Sequence, residues 1–282
     1  MVERRPVLTL IAHLVLILGV ALVVAPIWIA FVASTHDAQR LLSGTTPLWP
    51  GPHFLENYTA VLGSGMQQAG TPPLWLMLAN SLVMALGIAI GKIAISLTSA
   101  FAIVYFRFPF RMLAFWLIFV TLMLPVEVRI LPTYEVAAGL GLLNTYSGLI
   151  LPLIASATAT FLFRQVFMTI PDELLEAARV DGAGPMKFFR DILVPLSRTN
   201  IAALFIILFL YGWNQYLWPL LVTTDDAYYT IVMGIQRMVA VPDSEPVWHL
   251  IMATAILAML PPILIIVLMQ RLFVKGLVET EK

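Results

Sequence analysis

The sequence predicts an all-α polytopic membrane protein with six transmembrane helices. Three observations carry that reading. Of 282 residues, 60% are hydrophobic and only 11% are charged, a balance that soluble globular domains do not show. The apolar residues gather into runs long enough for the roughly 30 Å of a bilayer's hydrocarbon. The basic residues fall at alternate ends of those runs, as the positive-inside rule requires of a chain that crosses and recrosses.

The first run extends from Val7 to about Ala33 behind Glu3-Arg4-Arg5. It is too long for the apolar core of a signal peptide and lacks a small-residue cleavage site, so it reads as a retained first helix. Thr35 to Thr71 is polar and proline-rich, a loop with short helical pieces. Pro73 to about Phe106 exceeds a simple span and is expected to tilt or to begin with an interfacial turn. RFPFR at 107–111 is a tight turn, and Met112 to about Leu131 is the third span, bounded by Pro125 and Pro132. Ser147–Phe167 is the fourth span and Thr199–Val222 the fifth. Val247–Met269 is the sixth, with a kink expected at Pro261-Pro262.

Arg4, Arg5, Arg107, Arg111, Arg164, Arg179, Lys187, Arg190, Arg198, Arg271, Lys275 and Lys282 mark one side of this topology; Arg40, Arg129 and Arg237 mark the other. Both termini and the polar stretch between the fourth and fifth spans are therefore expected in the cytoplasm, with 35–72 and 223–246 outside. The formal net charge is zero, which suggests no nucleic-acid partner. Cysteine is absent, which excludes disulfides and thiolate metal sites. His13, His36, His53 and His249 have no ligand spacing, and no glycine-rich phosphate loop occurs. No catalytic residues, metal or cofactor are expected; if ATP is used, another subunit binds it.

The longest polar stretch is PDELLEAARVDGAGPMKFFRDILVP, Pro171 to Pro195. Thr169 and Pro171 give an N-terminal helix signal, and Asp172 and Glu173 complement the dipole of the first turn. Leu174, Leu175 and Ala178 form a narrow apolar stripe. Gly182 and Gly184 permit angles closed to other residues, and Pro185 opens a second helix with Phe188, Phe189 and Ile192 on its apolar face. Each helix is about ten residues, too short to be stable alone in water. The stretch is either a loop packed on its own bundle or an element that inserts into a partner.

Glu176-Ala177-Ala178, then Gly182, then Ile192-x-Val194-Pro195 after a nine-residue gap, resembles the EAA motif of ABC importer permeases, with Val194 replacing the usual leucine. The resemblance implies the type I ABC importer permease fold. It also implies that Glu176, Ala177, Ala178, Asp181, Gly182, Ile192 and Pro195 belong to a loop that docks in a cytoplasmic ATPase, with the small Ala177 and Ala178 letting the helix close on that partner. YGWNQYLWPL, Tyr211–Leu220, is similar to the carbohydrate-uptake branch. LMLPVEVRI, SATATFLFRQ and the ending GLVETEK are most similar to the branch that imports sn-glycerol 3-phosphate. Implied partners are a second homologous permease in a heterodimer, two ATPase subunits that use the ATP, a periplasmic substrate-binding protein and the lipid of a bacterial inner membrane. Implied boundaries are 1–72 for the first helix and outer loop, 73–269 for the permease core and 270–282 for a cytoplasmic tail. Lys275-Gly276-Leu277 is similar to tails that reach the ATPases; a disordered hydrophilic end is the other reading. A permease for another carbohydrate, maltose-like or oligosaccharide, is the alternative within the family. A secondary transporter would be expected to show paired acids or repeated broken helices, and the chain has neither signal.

Polar residues inside the spans are the candidates for the transport path. Lys92 lies about 15 residues from Arg107, roughly 22 Å along a helix, and snorkels only in part. It either faces a path or pairs with an acid such as Glu127 or with a partner subunit. Glu127 and Arg129, in LPVEVRILP, are two apart and do not share a helix face. They either line a cavity at an irregular helix end or make an outer-rim ion pair. Trp213, Asn214 and Gln215 either form part of a gate or join helices by hydrogen bonds.

The topology is checked by single cysteines in this cysteine-free chain. Labelling from outside is expected at Ser43 and Asp225 and not at Gly182 or Glu281; strong outside labelling at Gly182 would overturn it.

Overall fold

In the computed structural model, residues 6–44, 47–121, 126–241 and 245–279 are described; for residues 6, 67, 126, 127 and 271–279 the description is of the backbone alone. Regular structure among them is helical. In chain order the helices are α1 (Pro6–Ser34), α2 (Ala38–Leu42), α3 (Phe54–Gly63), α4 (Leu74–Tyr105), α5 (Arg111–Val120), α6 (Val126–Gly139), α7 (Tyr146–Ile150) and α8 (Ala157–Met168). There follow α9 (Asp172–Val180), α10 (Pro185–Phe188), α11 (Val194–Leu196), α12 (Arg198–Trp213), α13 (Leu217–Val222), α14 (Ile231–Val239) and α15 (Trp248–Glu279).

The six apolar runs map unevenly onto these helices. By length and composition α1, α4 and α15 are long and apolar enough to cross a membrane. The fourth run is a broken helix, α7 with its continuation to Leu153 and then α8, bent by 51°. The fifth run is interrupted too: α12 stops at Trp213, and α13 begins at Leu217. The third run splits into α5, of ten residues, and the start of α6, with 122–125 outside the described residues. Pro132, expected to end the third span, instead lies inside α6. Pro261 and Pro262 likewise lie inside α15. The turn before α5 is made by Phe110, whose φ of +60° is left-handed.

The chain forms two compact units, Met1–Trp75 with Gly234–Leu260, and Leu76–Met233 with Pro261–Lys282. In the first, α1 is apolar all round, and its side chains from Val7 to Ile29 are exposed. Such a helix is stable only in hydrocarbon or against another apolar surface. Its last carbonyls lack intrahelical partners, and α3 supplies two donors. Asn57 Nδ2 donates to the carbonyls of Ser34 and His36, each at 2.8 Å. The hydroxyls of Tyr58 and Ser34 lie 2.9 Å apart.

The second unit is built on α4. Small residues there let neighbours approach closely, the device by which membrane helices gain packing without a hydrophobic driving force. A Cβ on Gly87 would lie 2.6 Å from Ile150 Cδ1, and one on Gly91 2.6 Å from Ile154 Cγ2. Helix α12 meets the same helix at Gly212, where an added Cβ would stand 2.8 Å from Ala85 Cα. Met84 and Ile88 of α4 then join Ala137, Leu149, Trp218 and Val222 in a buried cluster. Polar groups at this end are paired within the unit. Asn80 Nδ2 donates to the carbonyls of Ala227 and Tyr229, and Tyr146 donates to Asn80 Oδ1 at 2.7 Å. Trp218 Nε1 donates to the Gly148 carbonyl at 3.0 Å.

The α4–α12 approach has a direct test. Gly212→Val places branched carbons against the α4 backbone, which cannot yield as a flexible side chain would. A loss of about 1–3 kcal/mol is expected, as for overpacked cores, read as a lower thermal unfolding midpoint of the purified protein. An unchanged midpoint would refute the close crossing.

Candidate functional site

The break between α12 and α13 is the origin of the site. Helix α12 ends at Trp213, and its last carbonyls need donors. Asn214 Nδ2 donates to the Leu210 carbonyl at 2.9 Å and Gln215 Nε2 to that of Tyr211 at 3.1 Å. These side chains therefore hydrogen-bond their own helix end; they do not join one helix to another, which corrects that reading of the pair. Irregular backbone within an apolar run is tolerated where it is buried in protein or lines a cavity. Here it lines a cavity of about 330 Å³, at the lower end of the roughly 300–1,000 Å³ usual for small-molecule sites.

Lys92, Arg129 and the adjacent pair Asn214 and Gln215, from three separate parts of the sequence, all line this cavity, with Thr133, Tyr211 and Trp218 among its other walls. Lys92 is only 8% exposed. Its ammonium sits over the ring of Tyr211, 3.8 Å from the centroid. The ring face carries negative potential and attracts a cation. One described candidate does not join. Trp213 is 3% exposed and stacks on Phe209, centroids 5.7 Å apart, away from the cavity walls. The Glu127 side chain lies outside the described residues. Tyr211 was missed by sequence reasoning: as one aromatic of YGWNQYLW it reads as part of an interfacial belt, and only the fold places it over a lysine 119 positions earlier.

The EAA stretch forms the second feature. Helix α9 starts after Pro171, with Asp172 and Glu173 in its first turn; Thr169 instead caps the end of α8. The chain then turns at Gly182, whose φ is +73°. Gly184 does not share that role, since its φ of −71° is open to any residue. Pro185 opens α10, and a π-helical turn, Phe189–Leu193, leads into α11. Ile192 is half-buried and Pro195 exposed. From Pro185 to Leu196 the segment bends by 73° into α12.

The two alanines of the motif point differently. Ala177 is exposed with Glu176 and Asp181, whereas Ala178 is 5% exposed and packs inward. Ala178 lines a groove with Phe101 and Tyr105 of α4 and Phe188 of α10. Ala177 is therefore accessible from outside the bundle, whereas Ala178, expected to lie against a partner, packs on its own chain. Helical geometry places successive residues about 100° apart, which lets the two differ in burial. Aromatic packing fixes the second helix to α4: Phe101–Phe189 and Tyr105–Phe188 centroids are 4.9 and 5.3 Å apart.

A helical membrane protein with a cation-lined cavity at a helix break and a two-helix loop gripped by the same long helix has the parts of a transport permease. Its residues 92–279 match the family described as "Binding-protein-dependent transport system inner membrane component". The chain belongs to this family, whose members are transport components and not enzymes. It is 60% identical over 282 residues to the sn-glycerol-3-phosphate transport system permease protein UgpE of Agrobacterium fabrum and 59% to that of Rhizobium meliloti. It is 56% identical to the same-named protein of Escherichia coli O6:K15:H31, and in all three cases the whole of both chains is covered. A crystal structure of a bacterial ABC transporter involved in import of the acidic polysaccharide alginate has the same fold, with a TM-score of 0.81 at 17% identity. The match covers 96% of this chain and 98% of that one.

The inward packing of Ala178 predicts a difference between neighbours. Ala178→Glu should release α9 from α4 and speed tryptic cleavage at Arg179 several-fold in the purified protein, whereas Ala177→Glu should leave the rate unchanged. Equal rates in the two variants would contradict the packing.

Proposed function

We propose that this chain forms half of the translocation path of an ATP-driven importer for sn-glycerol 3-phosphate. Identity of 56–60% over the entire length to permeases of that name carries the reading. The chain pairs with a second homologous permease. Two copies of a separate ATPase supply the energy, and a periplasmic binding protein delivers the cargo. The chain lies in a bacterial inner membrane with six crossings and both termini cytoplasmic, its permease core at 73–269 between the first helix with its outer loop at 1–72 and a tail at 270–282. Glu176, Ala177, Asp181 and Gly182, on the exposed side of the loop, dock in the ATPase. Ala178 holds that loop on its own bundle, and Ile192 and Pro195 close the docking loop on its way into α12. The cavity walled by Lys92, Arg129, Asn214 and Gln215 is this chain's share of the path, and the remainder of the wall comes from the second permease.

The importer is tested by reconstituting the permease pair, ATPase and binding protein in vesicles. ATP-dependent uptake of sn-glycerol 3-phosphate is expected. Ala177→Glu and Gly182→Val should retain the permease pair yet weaken ATPase co-purification, or leave hydrolysis running without uptake. Gly182→Val is strained by on the order of 1 kcal/mol, because its backbone angle is positive. Uptake of a neutral sugar in place of sn-glycerol 3-phosphate would overturn the cargo; normal uptake in both variants would overturn the docking role.

A further inference from the structure

The cavity holds two cations, and among the described residues no carboxylate lines it. Lys92 reaches it from α4 and Arg129 from α6, so the pair is a product of the fold and not of one helix. Intramembrane cations usually pair with an acid or a carbonyl. Lys92 rests instead on the ring of Tyr211, which compensates only part of an ammonium's lost hydration. Lys92 is buried and Arg129 exposed, so a buried and a solvent-facing charge of the same sign share one cavity and repel each other. An arrangement of this kind is costly for a neutral cargo and favourable for a dianion.

The other walls fit the rest of a small polyol ester. The amide nitrogens of Asn214 and Gln215 are engaged with the carbonyls of Leu210 and Tyr211. An amide oxygen is an acceptor for a hydroxyl. The Thr133 hydroxyl, for its part, donates to the Arg129 carbonyl at 2.7 Å, bracing the helix that carries the guanidinium.

We propose that Lys92 and Arg129 form an anion subsite that takes the phosphate of a phosphate monoester in transit, and that the Tyr211 ring holds the Lys92 ammonium between cargoes. The proposal rests on the reading of this cavity as part of the transport path. A phosphate monoester near neutral pH carries a charge of about −1.5 to −2, which two cations match. Arg129 offers a planar fork to two phosphate oxygens, and Lys92 a mobile point charge that can follow the ester. The contact with the ring gives the ammonium a partner to return to, so the subsite releases its cargo instead of retaining it.

Two measurements on the complete complex test this. In vesicles with saturating binding protein, Lys92→Met and Arg129→Gln should each lower sn-glycerol 3-phosphate uptake by about tenfold or more, the scale of a lost charge-assisted contact. Lys92→Arg should restore most of the rate, and Tyr211→Phe, which keeps the ring face, should exceed Tyr211→Leu. The second measurement needs no cargo. Asn214→Cys, the sole cysteine of this chain, should react several-fold faster with an anionic than with a cationic methanethiosulfonate, and Lys92→Met should bring the ratio toward one. If wild-type complex imports no phosphate ester but the labelling ratio falls as described, the cargo reading fails and the anion subsite stands. Uptake and labelling ratio both unaffected by Lys92→Met and Arg129→Gln would overturn the subsite. Should Lys92→Met not assemble, Arg129→Gln, on another helix, decides by itself: uptake within about twofold of wild type overturns the proposal. Loss of bound anionic lipid in these variants with undiminished uptake would also overturn it, assigning the cations to a lipid headgroup.

Discussion

The close approach of neighbouring segments to α4 is the contact on which the rest of the second unit depends. At Ala85 the backbone of α12 comes within van der Waals distance because Gly212 has no side chain to hold it away. Gly87 and Gly91, about one turn apart further along α4, receive Ile150 and Ile154. Lipid tails are as apolar as these side chains, so association rests on packing density, and packing density rests on small residues. The position of Tyr211 follows directly. It precedes Gly212, and the same close crossing brings its ring over Lys92, one turn beyond Ile88 of the buried core.

A second constraint is that hydrocarbon supplies no hydrogen-bond partners. The segment 214–216 interrupts the fifth apolar run, and its cost is met locally, by the amides of Asn214 and Gln215 returning to the carbonyls of α12. The same logic governs the far end of α4. Asn80 satisfies two carbonyls of the 227–229 turn and receives the Tyr146 hydroxyl, so three separate stretches share one side chain. Polar residues in this chain thus serve irregular backbone, and the cavity is a consequence of one such irregularity.

How much of this was legible in the sequence differs from feature to feature. Composition and run length give the helical membrane class, because a bilayer imposes both directly. The loop after Pro171 is legible in detail: the corner at Gly182, the start at Pro185 and the acidic first turn are local effects, decided within a few residues. Breaks within the fourth and fifth runs were not legible, since apolar content stays high across them and only helix-end hydrogen bonding reveals the stop. Lys92, Arg129, Asn214 and Gln215 were legible as costly residues but not as neighbours. Their convergence depends on helix crossings set by Gly87, Gly91 and Gly212, which in sequence read as ordinary small residues of apolar runs. The inward turn of Ala178 was within reach, since it shares a stripe with Leu174 and Leu175, but its burial depends on Tyr105 and Phe188.

The same helix connects the two functional features. Lys92 and Tyr105 are thirteen positions apart on α4, a distance of about 20 Å along a continuous helix. Near its middle the helix carries the ammonium that lines the cavity. At its C-terminal end, Phe101 and Tyr105 pack on Phe189 and Phe188 of the loop, and Tyr105 also donates to the Phe167 carbonyl at 3.2 Å. Packed aromatic contacts at protein density do not compress; they either move together or separate. The loop thus packs on the helix that carries Lys92, while Tyr211 stands on α12. The π-helical turn at Phe189–Leu193 and the 73° bend beyond it lie on the loop's own connection to α12. The loop is thus tied to one wall of the cavity through interlocked side chains and to the other through a bent backbone.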